Sequence, residues 1–179
     1  MQENTGELSS GPGMLPDWDV LERSLGFKER RYIEELRILT RSTALDCIID
    51  DRYARIIYII KKGGMGLAIG KNGENIRRLS NIFGKRVEMV EYDENRETFV
   101  ENMFKPADVV KVSFSEGTVR IVVREKEHLG LAIGRNGTTV EKAKILIMRF
   151  FGCEIEEVTA ADNTGGSTAF ASVAVSKDY

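Results

Sequence analysis

The chain has 179 residues and a net charge of −2, with 42% hydrophobic and 30% charged side chains. At about 100–200 residues per domain this allows one domain or two small ones, and the apolar share suits a packed core over a disordered chain. No apolar run approaches the ~18–20 residues that cross a bilayer, and Cys47 and Cys153, far apart and without Cys or His neighbours, form neither a disulfide framework nor a zinc site.

Met1 to Asp19 is polar, with Gly, Ser and Pro and no basic-then-apolar leader, so a soluble, cytoplasmic protein is expected. Tyr32, Ile33, Leu36 and Leu39 recur at helical spacing. Two short β-rich runs follow, Ala44 to Ile49 and Arg55 to Ile60, joined at Asp50-Asp51-Arg52, which predicts a hairpin. A glycine-rich stretch comes next, Gly-Leu-Ala-Ile-Gly-Lys-Asn-Gly over residues 66–73. Ile76, Leu79, Ile82 and Phe83 then mark a helix stopped by Gly84, and Arg86 to Tyr92 reads as a third strand.

The order then repeats. Phe99, Val100, Met103 and Phe104 mark a helix ended by Pro106. Val109 to Phe114 and Thr118 to Val123 form a second hairpin around Ser115-Glu116-Gly117, and Gly-Leu-Ala-Ile-Gly-Arg-Asn-Gly returns at residues 130–137. Only Lys71 and Arg135 differ between the two octapeptides. Val140, Ala143, Ile147 and Phe150 then give a helix about one turn longer than its counterpart, stopped by Gly152, and Cys153 to Val158 gives a last strand. Three strands and three helices per unit make a small α+β core. The boundaries expected are a partly disordered extension over 1–27, units over 28–97 and 98–160, and a disordered Ala/Ser/Thr/Gly-rich tail over 161–179.

A Gly-x-x-Gly turn ahead of a helix suits contact with a polyanion backbone. Gly70, Gly73, Gly134 and Gly137 lack a Cβ and let a strand come close. The helix behind each turn points its positive dipole end forward. Lys71 and Arg135 add formal charge, and Asn72 and Asn136 tolerate left-handed geometry. Leu67, Ile69, Leu131 and Ile133 could floor a groove under the bases, although core packing explains them equally well. From Arg52 to Arg86 nine basic residues face one acid, Glu74, and from Thr118 to Phe150 seven face three. Lys61, Lys62, Arg77 and Arg78 belong to the first segment and are candidate phosphate contacts; the alternatives are a solvated helix face for Arg77 and Arg78, of which one is expected to reach phosphate, and the blunting of a sheet edge for Lys61 and Lys62.

The Ile-Gly-Lys-Asn-Gly and Ile-Gly-Arg-Asn-Gly turns, each after two strands and before a helix and a strand, resemble K-homology (KH) domains of the type II order. The tandem, with Lys-Lys-Gly-Gly-Met-Gly-Leu-Ala-Ile-Gly-Lys-Asn-Gly-Glu-Asn-Ile at its first turn, resembles the archaeal NusA-like transcription termination/antitermination factors over about residues 28–160. The resemblance implies an α+β protein of two tandem type II KH domains, each a three-stranded sheet with three helices packed on one face. It implies a clamp on about four nucleotides of single-stranded RNA per turn. The expected partner is a nascent transcript or ribosomal RNA, with RNA polymerase a further candidate, for a monomer that needs no cofactor and no membrane. Bacterial NusA carries further polymerase-binding domains, including an S1 domain, for which this chain has no room, so its contact with polymerase is expected to differ.

Two other readings compete. A protein-binding adaptor on polymerase or ribosome would use the acidic stretch from Glu88 to Asp108 and the tails. A dinucleotide-binding enzyme would use Gly64, Gly66 and Gly70, but their spacing is Gly-x-Gly-x-x-x-Gly and the chain is too short for a Rossmann sheet. A Walker A loop fails because Met65 and Asn72 stand at its essential positions. No carboxylate pair, Ser/His/Asp set or metal spacing points to catalysis, and the single histidine, His128, is expected to open a short helix. Trp18 is expected to pack the leading segment or meet a partner.

Overall fold

The computed structural model describes residues 25–161 and the backbone of 172–174. Trp18, the leading extension through residue 24 and most of the tail lie outside the described residues. The first unit runs α1 (Phe27–Thr40), β1 (Ala44–Asp50), β2 (Arg55–Ile60), α2 (Met65–Ile69), α3 (Glu74–Phe83) and β3 (Arg86–Glu91). The second runs α4 (Arg96–Phe104), β4 (Val109–Ser115), β5 (Thr118–Val123), α5 (Lys126–Ile133), α6 (Thr138–Phe151) and β6 (Glu154–Ala160). The middle strand of each sheet pairs antiparallel with its hairpin partner and parallel with the strand after the long helix. Neither is the all-parallel, doubly wound sheet of a dinucleotide enzyme.

Repetition extends to irregularities. A register shift falls between Ala44 and Asp46 in β1 and between Val109 and Lys111 in β4. The bulge sets Ala44 and Cys47 on one face of the first sheet, in the core with Leu36 and Leu79. It sets Asp46 on the other face, against Arg149 of α6. Left-handed Gly84 and Gly152, both at φ 61, end α3 and α6 as expected, and Asn95 caps α4 by accepting from the Thr98 amide at 2.8 Å. His128 is the third residue of α5, and its Nδ1 accepts from the Asp108 amide at 2.9 Å.

Two expectations need correction and one is borne out. First, a strand β7 (Ser172–Ala174) pairs antiparallel with β6, so the second sheet has four strands and the tail expected to be disordered contributes one of them. Second, the two units pack on each other, as the near absence of a linker after Tyr92 leads one to expect, and this covers the first sheet on both faces. Every residue of β2 is buried: Ile56, Tyr58 and Ile60 pack under α1 and α3, while Ile57 and Ile59 join Phe99, Met103, Leu146 and Phe150 in the core shared with the second unit. Helix α4 lies at this junction, with the Phe99 ring edge-on to Tyr92 at 5.1 Å and to Phe150 at 5.0 Å. Third, Ile82 is exposed. At 100° per residue it lies well off the line of Ile76, Leu79 and Phe83 that faces the core.

Candidate nucleic-acid interface

The two Gly-x-x-Gly turns have one backbone geometry. Gly70 has φ 74 and ψ 169, Asn72 φ 52 and ψ 27, and Gly73 φ 73 and ψ 21. Their counterparts are Gly134 at 76 and 164, Asn136 at 55 and 30, and Gly137 at 76 and 10. The first glycine of each turn occupies a region open essentially to glycine alone. A Cβ there would lie 2.7 Å from Asn75 Nδ2 in the first turn and 2.7 Å from the Thr139 backbone nitrogen in the second. Each turn closes on itself, with the second glycine's amide donating to the first glycine's carbonyl at 3.1 Å.

At both turns the two central side chains, Lys71 with Asn72 and Arg135 with Asn136, are exposed, and the glycines are half-buried. The leucines one turn earlier also project, Leu67 at 59% and Leu131 at 44% exposure. Between them and the turns, Ala68 and Ala132 are buried and Ile69 and Ile133 half-buried, with Ile133 packed on the shared core. The leucines therefore offer apolar surface beside the turns, whereas the isoleucines serve the interior as well.

Ion pairing divides the basic residues sharply. Lys61, Lys71, Arg77, Arg78 and Arg135 are exposed and have no acidic partner among the described residues. Lys62 is held by Asp93 at 2.8 Å, Arg52 by Glu141 at 3.4 Å and Lys85 by Asp51 at 2.5 Å, while Arg86 pairs with Glu88. In the second segment Arg120 pairs with Glu156, Arg124 with Asp108, Lys142 with Glu88, Lys144 with Glu141 and Arg149 with Asp46. The acid partners of the first segment all lie outside it in sequence, which is why a tally along the chain overstates its free charge.

Sequence reasoning missed Tyr53 and Arg55. Both come from the first hairpin, yet both reach the second turn. Tyr53 Oη donates to the Asn136 carbonyl at 3.0 Å. Arg55 is fully buried and donates from Nε to Asp50 at 2.7 Å, and from Nη1 to Glu88 at 3.1 Å and to the Thr138 carbonyl at 2.8 Å. Its guanidinium also lies over the Tyr53 ring, 4.8 Å from the centroid. Burial would push the Glu88 carboxyl up, but Lys142, Arg55 and Arg86 together hold it below the usual carboxylate range. The Lys142 ammonium is brought below its usual value by burial, which Glu88 only partly offsets. The one signal in the sequence was the Arg-Tyr-Ala-Arg run at residues 52–55, which reads as an ordinary charged turn.

The KH domain family profile matches residues 29–94, from α1 to just past β3, a span that holds the first turn. A "Probable transcription termination protein NusA" of Halobacterium salinarum is 36% identical over 137 residues, covering 75% of this chain and 97% of its own. The chain belongs to the archaeal NusA family. A second NusA relative, from Methanococcus vannielii, is 30% identical over 125 residues, covering 68% of this chain and 71% of its own. The solved crystal structure of APE1850 shares 31% of its residues with this NusA-family chain, at a TM-score of 0.65 over 76% of this chain and all of that one.

Proposed function

We propose that this NusA-family chain binds single-stranded RNA and acts in transcription termination or antitermination, gripping the RNA backbone with its two Gly-x-x-Gly turns. One observation carries the reading: the turns share one backbone geometry, and each presents an exposed cation without an acidic partner among the described residues, Lys71 in one and Arg135 in the other. The element order of each unit, helix-strand-strand-helix-helix-strand, supports the type II arrangement. A boundary at residue 95, between β3 and α4, suits the fold better than one at 97, which cuts α4.

Within this reading Gly70, Gly73, Gly134 and Gly137 admit the backbone, and Lys71, Asn72, Arg135 and Asn136 touch it. Lys61, Arg77 and Arg78 extend the charge of the first turn, Lys62 contributes only by leaving Asp93, and Leu67 and Leu131 support bases, backed by Ile69 and Ile133. RNA polymerase is a further candidate partner for a chain whose relatives are named as transcription termination proteins, to be sought by pull-down after nuclease treatment.

The direct test replaces Lys71→Asp with Asn72→Asp and Arg135→Asp with Asn136→Asp. Aspartate accepts the left-handed backbone at positions 72 and 136, so the fold should survive. Affinity for a fluorescein-labelled single-stranded RNA should collapse while the circular dichroism spectrum and denaturation midpoint hold. Unchanged affinity would refute the reading.

A further inference from the structure

The two turns are alike in backbone and unlike in support. No side-chain donor among the described residues reaches the Asn72 carbonyl. The matching carbonyl of Asn136 receives the Tyr53 hydroxyl at 3.0 Å, and the next carbonyl but one, Thr138, receives Arg55 at 2.8 Å. Tyr53 is itself well fixed. Arg55 lies over its ring at 4.8 Å, and Arg52, paired with Glu141 at the start of α6, lies 5.5 Å from the same ring. A Cβ on Gly137 would meet the Tyr53 hydroxyl at 3.7 Å, so the phenol sits directly against the turn.

We propose that Tyr53, carried by the first unit's hairpin, is a positioning residue for the second unit's RNA-gripping turn, which is complete only when the two units are docked. The inference rests on the reading that the turns grip RNA. A turn already held in its working conformation loses less freedom when a ligand arrives. The second turn, with fewer unpaired cations among the described residues nearby in sequence (Arg135 and Lys126), gains from being preset, while the first, with Lys61, Lys71, Arg77 and Arg78, relies on charge. The Tyr53 hydroxyl therefore adds affinity at the second turn without touching RNA.

The test uses the full chain and Tyr53→Phe, which keeps the ring under Arg55 and removes only the hydroxyl. Hydrogen exchange of the free protein should speed up over residues 135–137 in the variant and stay unchanged over 71–73. Affinity for a fluorescein-labelled single-stranded RNA long enough to reach both turns should fall ~3-fold, the scale of one ordinary hydrogen bond. The same substitution should have no further effect once Arg135→Asp and Asn136→Asp have disabled the second turn, and should keep its effect when Lys71→Asp and Asn72→Asp have disabled the first. Unaltered exchange and affinity in Tyr53→Phe would overturn the inference. So would an equal loss in the background lacking the second turn, which would mark a general structural role or a direct RNA contact. If the unsubstituted protein fails to bind RNA, the RNA-binding reading itself fails and the inference goes with it, a result distinct from binding that is insensitive to Tyr53.

Discussion

The four turn glycines are not interchangeable. Gly134 combines φ 76 with ψ 164, and its Cβ would strike the backbone nitrogen of Thr139. Gly137 is in ordinary left-handed geometry, and a Cβ there would make only a van der Waals contact, with the Tyr53 hydroxyl at 3.7 Å. Gly134→Ala should therefore cost about 3 kcal/mol of stability, and Gly137→Ala about 1–2 kcal/mol, both read by urea denaturation; equal costs would contradict this backbone account. The octapeptide repeat marks both glycines in the sequence as parts of a turn. It does not rank them, because the rank depends on ψ and on where residue 139 comes to lie.

At the scale of the element, strand β2 carried more information than period counting alone extracts. Ile56 to Ile60 is apolar throughout, whereas β5 alternates, with Val119, Ile121 and Val123 buried and Arg120 exposed and paired across the sheet with Glu156. An unbroken apolar strand is the signature of burial on both faces. Existence and order of the elements through β6 were legible, and so was the extra turn of α6, whereas β7 was not. The polar groups at the junction were not, since Glu88 on β3 meets Lys142 on α6 only after docking. That pairing sets a pH dependence. The Glu88 carboxyl titrates lower when folded than in the unfolded chain, where it lies near ~4.3. Its contribution is complete above the unfolded value and is lost as pH falls through the folded one. Glu88→Gln should be less stable than the unsubstituted protein at neutral pH, and the gap should narrow in acid, as followed by urea melts across that range. A gap independent of pH would remove Glu88 as its source.

For the whole molecule, the folded arrangement of charge decides how RNA binding should respond to salt. Counting basic residues along the two segments suggests a broad cationic groove. Of the basic residues in those two segments, Lys61, Lys71, Arg77, Arg78, Lys126 and Arg135 are the ones without acidic partners among the described residues. With single strands each phosphate neutralised contributes about −0.7 to the slope of log affinity against log salt, so the slope should not be steeper than about −4, against about −11 were all the basic residues of both segments engaged. Titrations of RNA binding at several ionic strengths would separate the two. The glycine turns were visible from sequence because they are local. The charge ledger was not, because acids at 50, 51, 88, 93 and 141 return to neutralise bases that a sequence window sets apart.

The face of the first sheet formed by Ile57, Ile59 and Val90 is roofed by α4 and α6, which come later in the chain. A nascent polypeptide leaves the ribosome N-terminus first at roughly 5–20 residues per second. For several seconds of synthesis that face has nothing over it, and a ribosome stalled after β3 would display an apolar sheet to chaperones. Chains stalled beyond α6 should recruit far less chaperone, so the earlier half reaches its finished state only when the later half arrives.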